Sequence, residues 1–178
     1  MFIIAPLKGH EFYRAARNVG GEFIQISPAS KNCINIMEIR KVDNSVNELL
    51  DGPTLDASAL AGKIQRLHIF FSLLIPDMSH EEKQLLDEAL IKTYARKGIT
   101  HKNESLTDPQ HPEQYKKMPI LEDVYNVLLE SEDTKRLAHI LNRLVHGSAS
   151  SFNQQTNVDL TNKYTVLDIS ELTGSSDL

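Results

Sequence analysis

Apolar positions along the chain switch between strand-like and helix-like spacing, and each switch marks an element. Phe2-Ile-Ile-Ala5 is a short, continuous apolar run, the pattern of a strand covered on both faces. From Leu7 to Val19, residues Phe12, Ala15, Ala16 and Val19 recur at helix-compatible spacing, and Gly20-Gly21 supplies a stop. Glu22-Phe-Ile-Gln-Ile-Ser27 then reads as a second strand, ended by Pro28. Strand, short helix and strand in this order make a βαβ unit of a parallel sheet, with a right-handed crossover as the default.

The next stretch is less regular. Asn32 to Arg40 reads as extended chain or a single turn, and Asp51-Gly-Pro53 is a turn signature. From Asp56, which can cap, the period is helical: Leu60, Ile64, Leu67, Phe71 and Leu74 recur before Pro76. Ser79-His-Glu-Glu82 has the form of a capping box, opening a helix through Leu86, Leu90 and Tyr94 to Gly98. Ile99 to Lys117 is polar and reads as an exposed loop. Pro119 opens a helix from Ile120 to Glu130. Another runs from Glu132 to His146 with Leu137, Ile140, Leu141 and Leu144 inward and Gly147 as terminator. After a serine-rich turn the chain returns to a strand at Tyr164 to Ile169, and the Thr173-Gly-Ser-Ser-Asp177 tail reads as flexible.

Four amphipathic helices between strands give an α/β chain: part of a parallel sheet with an inserted α-helical subdomain. The expected boundaries are residues 1–55 for the βαβ part, 56–147 for the helical subdomain, and 148–178 for the return strand and tail.

Composition narrows the class. At 178 residues, with 40% apolar and 24% charged positions, the chain can bury about 70% of its unfolded surface without disulfide help. A formal charge of −5 opposes non-specific adhesion to nucleic acid or anionic membrane. Cys33 is the sole cysteine and sits in an apolar run, so it reads as a packed residue in a reducing compartment. No apolar run approaches the roughly 20 residues of a membrane helix, and no signal peptide is legible, so a cytoplasmic location is expected.

Candidate chemistry is sparse. The seven histidines show no metal-ligand spacing such as His-Glu-x-x-His, and no metal site is expected. Glu81, Glu82, Asp87 and Glu88 read as acids that stabilise a helix start. Lys8-Gly9-His10-Glu11 is the most interesting cluster. It follows the first strand directly and would lie at the carboxyl edge of the sheet, where α/β proteins place ligands. Glu11 is the candidate for catalysis and Lys8 for cofactor binding. No Gly-x-x-x-x-Gly-Lys-Ser/Thr phosphate loop occurs in the sequence, nor any strand ending in adjacent acids. The chain is therefore expected to be the middle of a nucleotide-hydrolysing domain, without the segments that grip nucleotide.

Several stretches carry a resemblance. Ile3-Ile-Ala-Pro-Leu-Lys-Gly-His-Glu-Phe12, Gly20-Gly-Glu-Phe-Ile-Gln-Ile-Ser-Pro28 and Cys33-Ile-Asn-Ile-Met-Glu38 resemble the stretch beyond the phosphate loop in the conjugal-transfer ATPases of type IV secretion systems. Met118-Pro-Ile-Leu-Glu-Asp-Val-Tyr125 is similar to a helix opening in that family's helical subdomain. Thr156-Asn-Val-Asp-Leu160 and Val166-Leu-Asp-Ile169 resemble its return to the sheet. The resemblance covers about residues 2 to 170. It implies a partial RecA-like sheet and a parent that uses ATP and Mg²⁺ to power transfer or channel assembly. It also implies partners among the subunits of a secretion or conjugation complex and a homo-oligomer, with no direct nucleic-acid signal. Where the family often has Asp-Pro-x-x-Glu, this chain has Ala5-Pro6 and then Glu11.

Two readings follow. In the first, the chain is an internal fragment of such an ATPase, inactive alone and needing no cofactor, with open sheet edges that favour dimerisation or strand exchange. In the second, it is a complete, non-enzymatic interaction protein whose helices expose apolar stripes.

Overall fold

The computed structural model describes residues 2–5, 9–25, 31–40, 58–147, 152–158 and 165–168. The chain divides into two compact units, Met1–Asn35 with Arg143–Leu178, and Ile36–Asn142.

In the first unit, Phe2–Ala5 (β1), Glu22–Gln25 (β2) and Thr165–Asp168 (β3) pair in parallel, in the order β1-β3-β2. The register aligns Ile3 and Phe23 with Val166, and Ala5 and Gln25 with Asp168. The strand–helix–strand unit read from the sequence is thus opened, because the last of the described strands takes the place between the first two. A central strand has to be apolar where neighbours cover it. Val166 is fully buried against Ala16, with Phe12 and Phe23 packed around that pair.

Ala16 comes from the helix Gly9–Asn18 (α1). Its end is a Schellman motif: Gly21 N–H donates to the Ala16 carbonyl at 2.8 Å and Gly20 N–H to that of Arg17 at 3.3 Å. The motif needs a left-handed residue, and Gly20 supplies it at φ +66°.

The second unit is helical. Ala59–Leu74 (α2) buries Ala59, Leu60, Ile64, Leu67 and Phe71. Its cap is Ser58, whose hydroxyl accepts the Ala61 N–H at 3.2 Å. The expected cap, Asp56, lies outside the described residues, as does the Asp51-Gly-Pro53 turn. Leu74 is half-buried, and Ile75 beyond the helix end is buried in its stead.

His80–Arg96 (α3) packs on both α2 and the helix Leu121–Leu128 (α4). It opens on the expected capping box, with Glu82 N–H donating to Ser79 Oγ at 3.1 Å and Ser79 N–H to Glu82 Oε2 at 2.9 Å. It ends in a second Schellman motif, built on Gly98 at φ +68° and the Ile99 N–H bond to the Tyr94 carbonyl. Tyr94 is fully buried, and its hydroxyl donates to the Met37 carbonyl at 2.5 Å. Burial alone drives the phenol pKa far above its ordinary value.

Residues 99–117 are more ordered than a plain exposed loop. Ile99 and Leu106 are buried, Asn103–Leu106 forms a 3₁₀ turn, and Thr107 bridges antiparallel to Tyr115. Two apolar anchors in a polar stretch are too few to show as a period. Helix α4 begins with Asp123 Oδ2 accepting the Ile120 N–H at 2.8 Å. Glu132–Thr134 is a 3₁₀ turn, after which Lys135–Val145 (α5) buries Leu137, Ala138, Leu141 and Val145. Ile140 and Leu144, expected inward, are half-buried, so the apolar stripe is rotated towards Ala138 and Val145.

Candidate functional site

Three parallel strands put their carboxyl ends at one edge, and there the backbone aligns Ala5, Asp168 and Gln25. In open α/β sheets this edge is where ligands bind. Helix α1 starts four residues after β1 ends and carries Glu11 in its first turn. Lys8 lies outside the described residues, and so does the side chain of Glu11. Asp168 was missed from the sequence as a site position. Its signal, an acid closing an apolar run at Val166-Leu-Asp168, becomes informative only once β3 is seen to be central.

The opposite half of α1 presents a different surface. Tyr13 stacks edge-on against Phe23 with ring centroids 5.2 Å apart. The Arg17 guanidinium lies 5.8 Å from the Tyr13 ring centroid and donates to its hydroxyl at 3.3 Å. Arg14 and Asn18 join them around an open depression of about 550 Å³. Among the described residues no carboxylate lines it, and it sits away from the helix start at the carboxyl edge.

Also in the first unit, segments 31–35 and 155–157 are spliced by polar bonds. Asn157 acts as a peptide mimic: Oδ1 accepts from Cys33 N–H at 2.7 Å while Nδ2 donates to the Lys31 carbonyl at 2.6 Å. Its own N–H donates to the Cys33 carbonyl at 3.2 Å. Asn35 N–H donates to Thr156 Oγ1 at 3.0 Å, and Asn35 Nδ2 to Gln155 Oε1 at 3.4 Å. Cys33 is buried here, as a packed residue should be.

In the helical unit the acids near the start of α3 serve structure. Glu82 closes the capping box and also accepts from Arg136 at 2.7 Å. The Ser79 N–H first, and the Arg136 guanidinium next, hold its carboxyl below the ordinary range. Asp87 meets His68 Nε2 of α2 at 2.8 Å, and Glu88 accepts from Gln84 at 3.1 Å. Glu130 takes Lys92 at 2.8 Å and Arg96 at 2.6 Å; the lysine foremost, then the arginine, depress its pKa. His101 contacts Ser58 and His111 contacts Glu113. Among the described residues no group of three or more His, Cys, Asp or Glu is gathered as a metal site. Nor is any helix there long and apolar enough to cross a membrane.

No family model matches the chain, and no curated protein does. Among solved structures it matches VirB4 of Thermoanaerobacter pseudethanolicus with 27% sequence identity and a TM-score of 0.73. The match covers 98% of this chain and 61% of that one, so the chain spans less than two thirds of the relative's length. The likeness read from the sequence motifs is met in three dimensions: this chain is a structural match to VirB4, a type IV secretion conjugal-transfer ATPase.

Proposed function

We propose that this chain is an internal portion of a conjugative type IV secretion ATPase, with a partial RecA-like parallel sheet and an inserted α-helical subdomain. The observation that carries this reading is the VirB4 match, which runs through 98% of the chain. On this reading the intact parent hydrolyses ATP with Mg²⁺ to power conjugal transfer or channel assembly. It is cytoplasmic, and its partners are further copies of itself and other subunits of a secretion or conjugation complex.

The residues present do not fit ATP and Mg²⁺ by themselves. Binding needs a run of backbone amides, a lysine and a hydroxyl to hold phosphates and metal. Here β1 enters α1 through Pro6-Leu-Lys-Gly9, with one glycine and no hydroxyl. Glu11 and Lys8 remain candidate positions of the parent's site. Inactivity of the isolated chain follows from this mismatch.

A titration of the purified chain with ATP and Mg²⁺ by calorimetry tests the proposal. The expected result is no saturable binding into the millimolar range; magnesium-dependent micromolar binding overturns it. A second reading, a non-enzymatic interaction protein with a helical binding surface, is favoured by one observation: Ile69 and Leu73 of α2 are 64% and 78% exposed. Specific capture of one partner by the chain, where no ATPase frame adjoins its coding sequence, would favour this second reading.

A further inference from the structure

We propose that the outward face of α2 is a self-association surface, which pairs antiparallel with α2 of a second copy of this chain. The face consists of Gly62, Gln65, Arg66, Ile69, Ser72 and Leu73, which fall on one side of the helix and carry a single charge. Ile69 and Leu73 lie one turn apart at its centre and are largely solvent-facing. Neighbouring α3 shows what a face built for water looks like, with Glu81, Lys83, Glu88, Lys92 and Arg96 all exposed. Rotating α2 cannot hide Ile69 and Leu73, because the other side already buries Leu60, Ile64, Leu67 and Phe71. A helix apolar on both sides is built for two neighbours, and the helical unit supplies one.

Symmetry and charge argue for a second copy as the other. A twofold axis passing level with Phe71 lays Ile69 of one copy against Leu73 of the other and repeats that contact, so one patch serves both partners. Gly62 and Ser72 keep the flanks small, and among the described residues the space beside Gly62 holds only Arg66 Nη2 within 4 Å of an added Cβ. The same axis brings Arg66, at the start of the stripe, opposite the turn that follows α2 in the other copy. That turn carries Asp77, whose side chain is 75% exposed and bound to Arg136 through Oδ2. Arg66 donates to the Gly62 carbonyl and has no ion pair among the described residues. Arg66 of each copy thus faces the turn that carries Asp77 in the other, twice over. Six residues from each copy are far fewer than the roughly 20–30 a side of a standard interface, so the dimer is weak and forms at high concentration.

Sedimentation equilibrium of the full chain, from roughly 10 micromolar to roughly 1 millimolar, tests this. The average mass should climb from 20.1 kDa towards twice that value. Leu73→Glu and Ile69→Gln, both at exposed positions and checked for native circular dichroism, should stay monomeric over the same range. Under oxidation, an equimolar mixture of Ile69→Cys and Leu73→Cys should give a cross-linked dimer faster than either variant alone; buried Cys33 does not compete. The proposal is overturned by a wild-type chain that stays monomeric throughout. It is equally overturned by a dimer that neither substitution weakens, as association through the sheet edges would give, or by cross-linking that the mixture does not accelerate.

Discussion

Three glycines show how one residue type meets two different demands. Gly20 and Gly98 hold left-handed conformations at φ +66° and +68°. An alanine there is strained by about 1–2 kcal/mol, and Gly98→Ala should lower the urea midpoint accordingly. Gly147 is different: a Cβ would stand 2.5 Å from the Arg143 carbonyl oxygen, a backbone atom that no rotamer change moves. Gly147→Ala should therefore destabilise the chain more than Gly98→Ala, measured in the same titrations. The sequence marks all three as helix stops, and the helices end at Asn18, Arg96 and Val145 accordingly. It cannot separate a left-handed turn from a close backbone approach, since both select glycine. Tyr94 makes the same point about buried polar groups. Tyr94→Phe removes the bond from this hydroxyl to the Met37 carbonyl, at a cost of about 1 kcal/mol in denaturant unfolding.

Elements differ in how locally they are specified. The capping box of α3 spans four consecutive residues and is legible from them; Ser79→Ala should cost about 1 kcal/mol. Glu82 adds a pH dependence with a definite sign. Its folded pKa lies below the ordinary 4.5, so its contribution is complete above that value and is lost as pH falls through the folded pKa. Thermal melts should show wild-type stability declining in acid more steeply than that of Glu82→Gln. By contrast, the splice of Cys33 to Asn157 joins residues 124 apart, and nothing near either position announces it. Asn157→Ala removes the partners of Cys33 N–H and the Lys31 carbonyl together, so a loss of about 1–2 kcal/mol is expected in the same melts. The α2 cap is hard to place from sequence for a related reason: Asp56 and Ser58 are both good capping residues, and only the geometry of the first turn chooses.

At the scale of the molecule, the alternation of strand and helix periods is enough to read an α/β chain with helices between its strands. Strand order is not legible, because short apolar runs state that they are covered and not by which neighbour. The edge position of Asp168 shares that fate. The placement of β3 has a consequence for synthesis. The ribosome makes β1 and β2 early, yet the strand that joins them follows about 140 residues after Gln25. At the usual pace of translation this leaves the two strands waiting for on the order of ten seconds. Helices α2 to α4, whose contacts are nearer in sequence, can settle during that interval. Nascent chains arrested just before Thr165 should accordingly protect Tyr94 from proteolytic attack while Phe23 stays open to it.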